Sequence, residues 1–88
     1  MKDEESKIQV KVKLFAVYQE VFGTPELDMA LIPETTVGQV LESLIEQQPQ
    51  IEQWRKVTRF GVNLQFVPAD TTLHNGDEIV LIPPVSGG

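Results

Sequence analysis

Few side chains in this sequence are able to do chemistry, and they do not converge. Cysteine is absent, which excludes a thiol nucleophile, a disulfide framework and any Cys-ligated metal centre. The one histidine, His74, rules out a multi-His metal site. It stands in the turn sequence His74-Asn75-Gly76-Asp77, so we expect it to be a solvated loop residue. Asp77 and Glu78 are adjacent acids, but neighbours in a strand point to opposite faces and do not form a dyad. Lys11 and Lys13 share one strand face, as charges that keep a strand soluble do. Arg55, Lys56 and Arg59 form a small basic cluster. Ser6 and Ser43 have no base in register. The remaining reactive group is the main-chain carboxylate of Gly88, the last residue of the sequence. It follows an apolar strand, a proline pair (Pro83-Pro84), then Val85, Ser86 and Gly87. Prolines stiffen the exit, and glycines let a backbone enter a narrow channel. Such a tail can deliver its carboxylate into another protein's active site. The carboxylate is ionised and inert at neutral pH, so it needs activation, for example as an acyl-adenylate. Capture of the adenylate by sulfur gives a thiocarboxylate without any cysteine in the chain.

The elements that carry this tail are legible. Eighty-eight residues make one small domain. Thirteen acidic against seven basic residues give a net charge of −6. That total disfavours nucleic acid and anionic membranes and suits basic partners. No signal-like or membrane-spanning run is present, so we expect a cytoplasmic location.

Residues 1–7 read as a flexible N-terminal tail, 8–84 as the folded domain and 85–88 as an extended C-terminal tail. Ile8, Val10, Val12 and Leu14 alternate with polar residues, the period of a half-buried strand. Residues 16–26 contain Gly23, Thr24 and Pro25 and read as a turn or irregular connection. Leu27, Met29 and Leu31 form a second strand. Thr36 and Gln39 have capping-box spacing, and Val37, Val40, Leu41, Leu44 and Ile45 make one helical stripe that Pro49 stops. Residues 50–59 read as loop or short irregular helix, with Trp54 sealing the core edge. Phe60 and Val62 begin a third strand, and Phe66 and Val67 form a short fourth. Ile79 to Ile82 are continuously apolar, as in a central strand. One helix over one mixed sheet is a two-layer α+β domain, and the order fits the β-grasp, or ubiquitin-like, fold.

The ending GDEIVLIPPVSGG (Gly76 to Gly88) closely resembles that of the MoaD family of ubiquitin-like sulfur carriers, the small subunits of molybdopterin synthase. KLFAVYQEVFG (Lys13 to Gly23) resembles the family's first strand and following turn. The helix start Thr36-Val37 and the pair Val62-Asn63 also match. The likeness runs from about Ile8 to Gly88. Two positions depart from the pattern: Gln19 replaces a common Arg, and Leu64 stands where Gln or Gly is usual.

The resemblance implies that a ubiquitin-activating-like adenylyltransferase adenylates Gly88 with ATP and magnesium, and that sulfur transfer then yields the Gly88 thiocarboxylate. It implies that the tail, Pro84 to Gly88, enters the large catalytic subunit of molybdopterin synthase and gives sulfur to cyclic pyranopterin monophosphate, within a heterotetramer. The small subunit is then a sulfur donor, not an enzyme by itself, and binds no cofactor or metal. Phe15, Phe66 and Ile82 correspond to partner-interface positions of the family. Two other readings stay open: a carrier for another pathway such as thiamine biosynthesis, and a passive ubiquitin-like binding module. Phe15 and Phe66 packing on each other as a small second core is the alternative to an interface.

Overall fold

The computed structural model describes residues 7–84. Five strands form one sheet: β1 (Ile8–Leu14), β2 (Glu26–Leu31), β3 (Arg59–Val62), β4 (Gln65–Val67) and β5 (Glu78–Ile82). Their order is β2-β1-β5-β3-β4. β1 and β5 run parallel, and the other pairs are antiparallel. The apolar run of β5 is therefore in the middle of the sheet, where both of its ladders are filled.

Helix α2 (Val37–Gln47) covers one face. Its stripe Val37, Val40, Leu41, Leu44 and Ile45 is buried. Against it lie Val10, Val12 and Leu14 of β1 and Ile79 and Leu81 of β5. The expected capping box is formed: the Gln39 amide donates to Thr36 Oγ1 at 3.2 Å, and the Thr36 amide donates to Gln39 Oε1 at 2.8 Å. This satisfies the first amides of the helix, a contribution of about 1 kcal/mol. Gly38 permits a close approach. Its amide donates to the Ala69 carbonyl at 2.8 Å, and a Cβ there would sit 2.9 Å from the same oxygen.

One connection differs from the sequence reading, and a second resolves one of its two alternatives, a loop or a short irregular helix, in favour of the helix. The stretch after β1 is not irregular: α1 (Val17–Phe22) forms there and ends on Gly23 at φ 73°. Tyr18 is buried, with Val21 and Phe22 packed beside the core. The apolar pattern Val17, Tyr18, Val21, Phe22 is helical, but one and a half turns are too short to stand out from the Gly-Thr-Pro that follows. Residues Pro49–Trp54 form a 3₁₀ helix. Trp54 packs at the core edge as expected, with its ring edge-to-face with Tyr18 at 6.0 Å.

The Tyr18 phenol donates to Thr58 Oγ1, which donates onward to the Trp54 carbonyl at 2.7 Å. Burial pushes the Tyr18 pKa up, partly offset by the Thr58 hydrogen bond. These features, one helix clasped by a five-stranded mixed sheet with parallel β1 and β5, are those of the β-grasp fold.

Candidate functional site

The register assigns every strand residue to a face. Opposite the helix lie Lys11 and Lys13 of β1, Glu26 and Asp28 of β2, Glu78, Val80 and Ile82 of β5, Arg59 and Gly61 of β3, and Phe66 of β4. No described element covers this face. It divides into two halves of different chemistry.

The β2–β1 half is ionic and internally neutralised. Lys11 Nζ lies 3.3 Å from Glu26, and Lys13 Nζ lies 3.5 Å from Glu26 and 3.3 Å from Glu78. The Glu78 hydrogen bond and charge raise the Lys13 pKa, with Glu26 adding to them. The Lys11 hydrogen bond and charge lower the Glu26 pKa. The lysines expected merely to keep β1 soluble also tie three strands together.

The β5–β3–β4 half is apolar. Gly61, Leu64, Gln65, Phe66, Val80 and Ile82 line a depression of about 160 Å³. Phe66 is 76% exposed and Leu64 92% exposed. Leu64 and Asn63 are the two turn residues between β3 and β4, at φ 72° and 51°. Positive φ at both central positions is the geometry of a type I′ hairpin turn, which favours Asn-Gly. Asn63 suits it, and its side chain is held by Asp77 and the Glu78 amide. Leu64 does not suit it. A leucine in this conformation is strained and holds its side chain in solvent.

A second strained position adjoins the face. Ala16 adopts φ 50°, ψ −124° between β1 and α1. Next to it is Phe15, which is 50% exposed. The Tyr18 amide donates to the Phe15 carbonyl at 3.0 Å and closes this turn.

Of the residues singled out in the sequence, Phe66 and Ile82 meet at the apolar depression. Phe15 stands just beyond the end of β1. Two strands, β5 and β3, separate β1 from β4, a spacing of roughly 14 Å. Phe15 and Phe66 thus do not form a second core. Pro84 is exposed just past β5, and Val85, Ser86, Gly87 and Gly88 lie outside the described residues. His74 is exposed, with its amide donating to Asp77 at 2.8 Å. Asp77 binds the turn and Glu78 binds Lys13, so the two acids diverge as expected.

The sequence reading did not find Gly61 or the role of Leu64 in shaping the depression, whereas alternation along β5 already sets Val80 on the face of Ile82. The departure at Leu64 was its one visible signal.

Residues 12–88 match the ThiS family, a span that takes in the end of β1, the other four strands, both α-helices and the Gly-Gly end. The chain belongs to the ThiS family. This ThiS-family chain is 35% identical over 83 residues to the molybdopterin synthase sulfur carrier subunit of Dictyostelium discoideum, covering 91% of this chain and 96% of that protein. It is 30% identical over 86 residues to the protein of the same name from Arabidopsis thaliana, covering 98% and 90%. Among solved structures it is similar to the small archaeal modifier protein 1 of Methanosarcina acetivorans, with 32% identity, 93% and 98% coverage and a TM-score of 0.72. The β-grasp architecture is thus shared by relatives that span nearly the whole chain. Among the described residues of this ThiS-family chain, no cluster of His, Asp or Glu could hold a metal ion, and no helix is long and apolar enough to cross a membrane.

Proposed function

We propose that this chain is the sulfur-carrier small subunit of molybdopterin synthase, with the Gly88 carboxylate as its reacting group. The observation that carries this reading is the Pro-Pro-Val-Ser-Gly-Gly ending after the central strand, in a chain 30–35% identical over nearly its whole length to proteins named as such carriers.

The chemistry follows from the carboxylate. One oxygen of Gly88 attacks the α-phosphorus of ATP held by an activating adenylyltransferase, and pyrophosphate leaves. Hydrosulfide from a sulfur donor then attacks the acyl carbon, and AMP leaves with its bonding pair while a proton is released, giving the thiocarboxylate. In the large subunit the thiocarboxylate sulfur attacks a side-chain carbon of cyclic pyranopterin monophosphate, and the C–O bond at that carbon breaks, its oxygen leaving with the bonding pair and taking up a proton. Hydrolysis of the resulting thioester leaves sulfur on the pterin and regenerates the Gly88 carboxylate. The carrier contributes no acid, base or metal. It contributes a stiff exit at Pro83-Pro84, a tail that reaches at most about 20 Å beyond Ile82, and a surface that fixes its origin. Phe15, Phe66 and Ile82 belong to that surface. A supply of ATP fits a cytoplasmic location.

Likeness to the small archaeal modifier protein 1 favours a second reading, in which an amine captures the same adenylate and forms an amide.

Intact mass of the chain with its native end, after incubation with the activating enzyme, ATP, magnesium and a sulfur donor, separates these. Exchange of one terminal oxygen for sulfur, followed by molybdopterin formation with the large subunit, is expected. Charging that only a thiamine synthase consumes moves the chain to that pathway. Persistent lack of sulfur overturns the carrier reading and leaves the modifier or a passive module.

A further inference from the structure

We propose that Arg59 and Lys56 form a cationic anchor beside the base of the C-terminal strand. It receives a carboxylate that a partner protein presents next to an apolar side chain, which itself enters the depression between Phe66 and Ile82. This deepens the reading above by naming the chemistry of the partner segment, and it rests on that reading only for the partner used in the test.

Three of the seven cations of this acidic chain fall within five residues, Arg55 to Arg59. They line a second depression of about 360 Å³ with Phe66 and Pro68. Phe66 borders both depressions and forms the wall between them. The basic hollow and the apolar hollow are thus two adjoining compartments of one surface.

The three cations are not equivalent. Arg55 is committed, with one guanidinium nitrogen 2.9 Å from Glu42 and another 3.6 Å from Glu52. Lys11 and Lys13, on the other half of the sheet face, are likewise paired. Lys56 and Arg59 are exposed and make no ion pair among the described residues. Arg59 is the Cα partner of Ile82 in the β3–β5 pairing and shares its outward face. The uncommitted positive charge therefore stands beside the residue where β5 ends and the tail begins.

One carboxylate matches this site better than a polyphosphate. Two cations are uncommitted, and a guanidinium binds a carboxylate through two parallel hydrogen bonds. The apolar compartment next door adds area that a phosphate chain cannot use. Along the chain, residues 83–87 stand between β5 and the reacting group of Gly88. The site positions the carrier and takes no part in sulfur transfer.

The test is the affinity of the full chain for the purified large subunit at about 0.05 M and 0.5 M salt, a range over which exposed pairs are screened. The double variant Lys56→Glu, Arg59→Glu is compared with Phe66→Ala. Both charge sites are exposed, so the double variant is expected to melt with the wild type. We expect the reversal to weaken binding at least about tenfold at low salt and to flatten the salt dependence. Phe66→Ala is expected to weaken binding with the salt dependence retained. A complex weakened by Phe66→Ala but indifferent to the charge reversal overturns the anchor alone. No complex with the wild-type chain, or one indifferent to every variant, overturns the anchor and the interface together. The mass measurement above still decides sulfur loading separately.

Discussion

Gly61 pairs with Phe66 across the β3–β4 ladder and with Val80 across the β3–β5 ladder, on the sheet face opposite the helix. The apolar depression exists because the middle residue of this row has no side chain. A Cβ at Gly61 would make only ordinary contacts, 3.6 Å from the Gln65 carbonyl oxygen and from Val80 Cβ. Gly61→Ala should therefore be accepted by the fold and raise its stability by about 0.5–1 kcal/mol, since alanine loses less backbone entropy in a strand. It should also fill the floor of the depression and weaken large-subunit binding about fivefold, equivalent to ~1 kcal/mol. Thermal unfolding and a binding titration on one preparation check both halves. A stabilised variant with unchanged affinity removes the depression from the interface.

Leu64 gives the opposite pairing of cost and use. It occupies φ 72° with almost all of its side chain in solvent. Leu64→Gly relieves about 1–2 kcal/mol of left-handed strain and returns part of it as chain entropy. The expected result is a higher denaturant midpoint and lower affinity for the partner. A loss of stability would show that the turn is not strained by its leucine.

The Tyr18–Thr58–Trp54 relay joins α1 to the segment before β3. Tyr18→Phe keeps the ring in the core and removes one hydrogen bond, at a cost of about 1 kcal/mol. Thr58 keeps its bond to the Trp54 carbonyl, so no buried donor is stranded. Urea unfolding of the variant with an unchanged slope checks this.

The ionic half of the sheet face sets a pH dependence of definite sign. Glu26 has a lowered pKa in the folded chain, chiefly from its Lys11 hydrogen bond. Its contribution is full above the ordinary carboxylate range and is lost as the pH falls through its folded pKa. Lys13 has a raised pKa, chiefly from its Glu78 hydrogen bond. Its contribution is full below the ordinary lysine range and is lost as the pH rises through its folded pKa. Both groups are at the surface, so each effect should be small and should shrink in high salt. Unfolding midpoints across pH for the wild type and Glu26→Gln test this. The variant should show a flatter acid limb and a smaller but retained loss at alkaline pH, because Glu78 still holds Lys13 when the Glu26 charge is gone.

At the tail, deletion of Gly88, or addition of one residue after it, should abolish sulfur loading while leaving the thermal unfolding curve in place. Among the described residues the buried core runs from Val10 to Leu81. Sulfur loading of an extended chain, read by intact mass, would sink the mechanism.

The sequence by itself determined the sheet-and-helix plan. Alternation in β1, the capping box at Thr36 and the two-sided apolar run of β5 are local patterns, and each was met in the structure. α1 was hidden because so short a helix is held by packing of Tyr18, Val21 and Phe22 more than by propensity. The Gly-Gly tail, and the chemistry it suggests, are also written in the sequence, since they depend on chain order alone. Which residues share a surface is another matter. Gly61, Phe66, Val80 and Ile82 come from three strands, and only the register brings them together. Net charge misleads in the same way. A total of −6 says nothing of Arg59 and Lys56 standing uncommitted beside the end of β5, while Lys11 and Lys13 are neutralised by Glu26 and Glu78. A sum over the chain carries no positions, and partners meet a local surface; strand pairing, which closes over distant residues, decided that surface here.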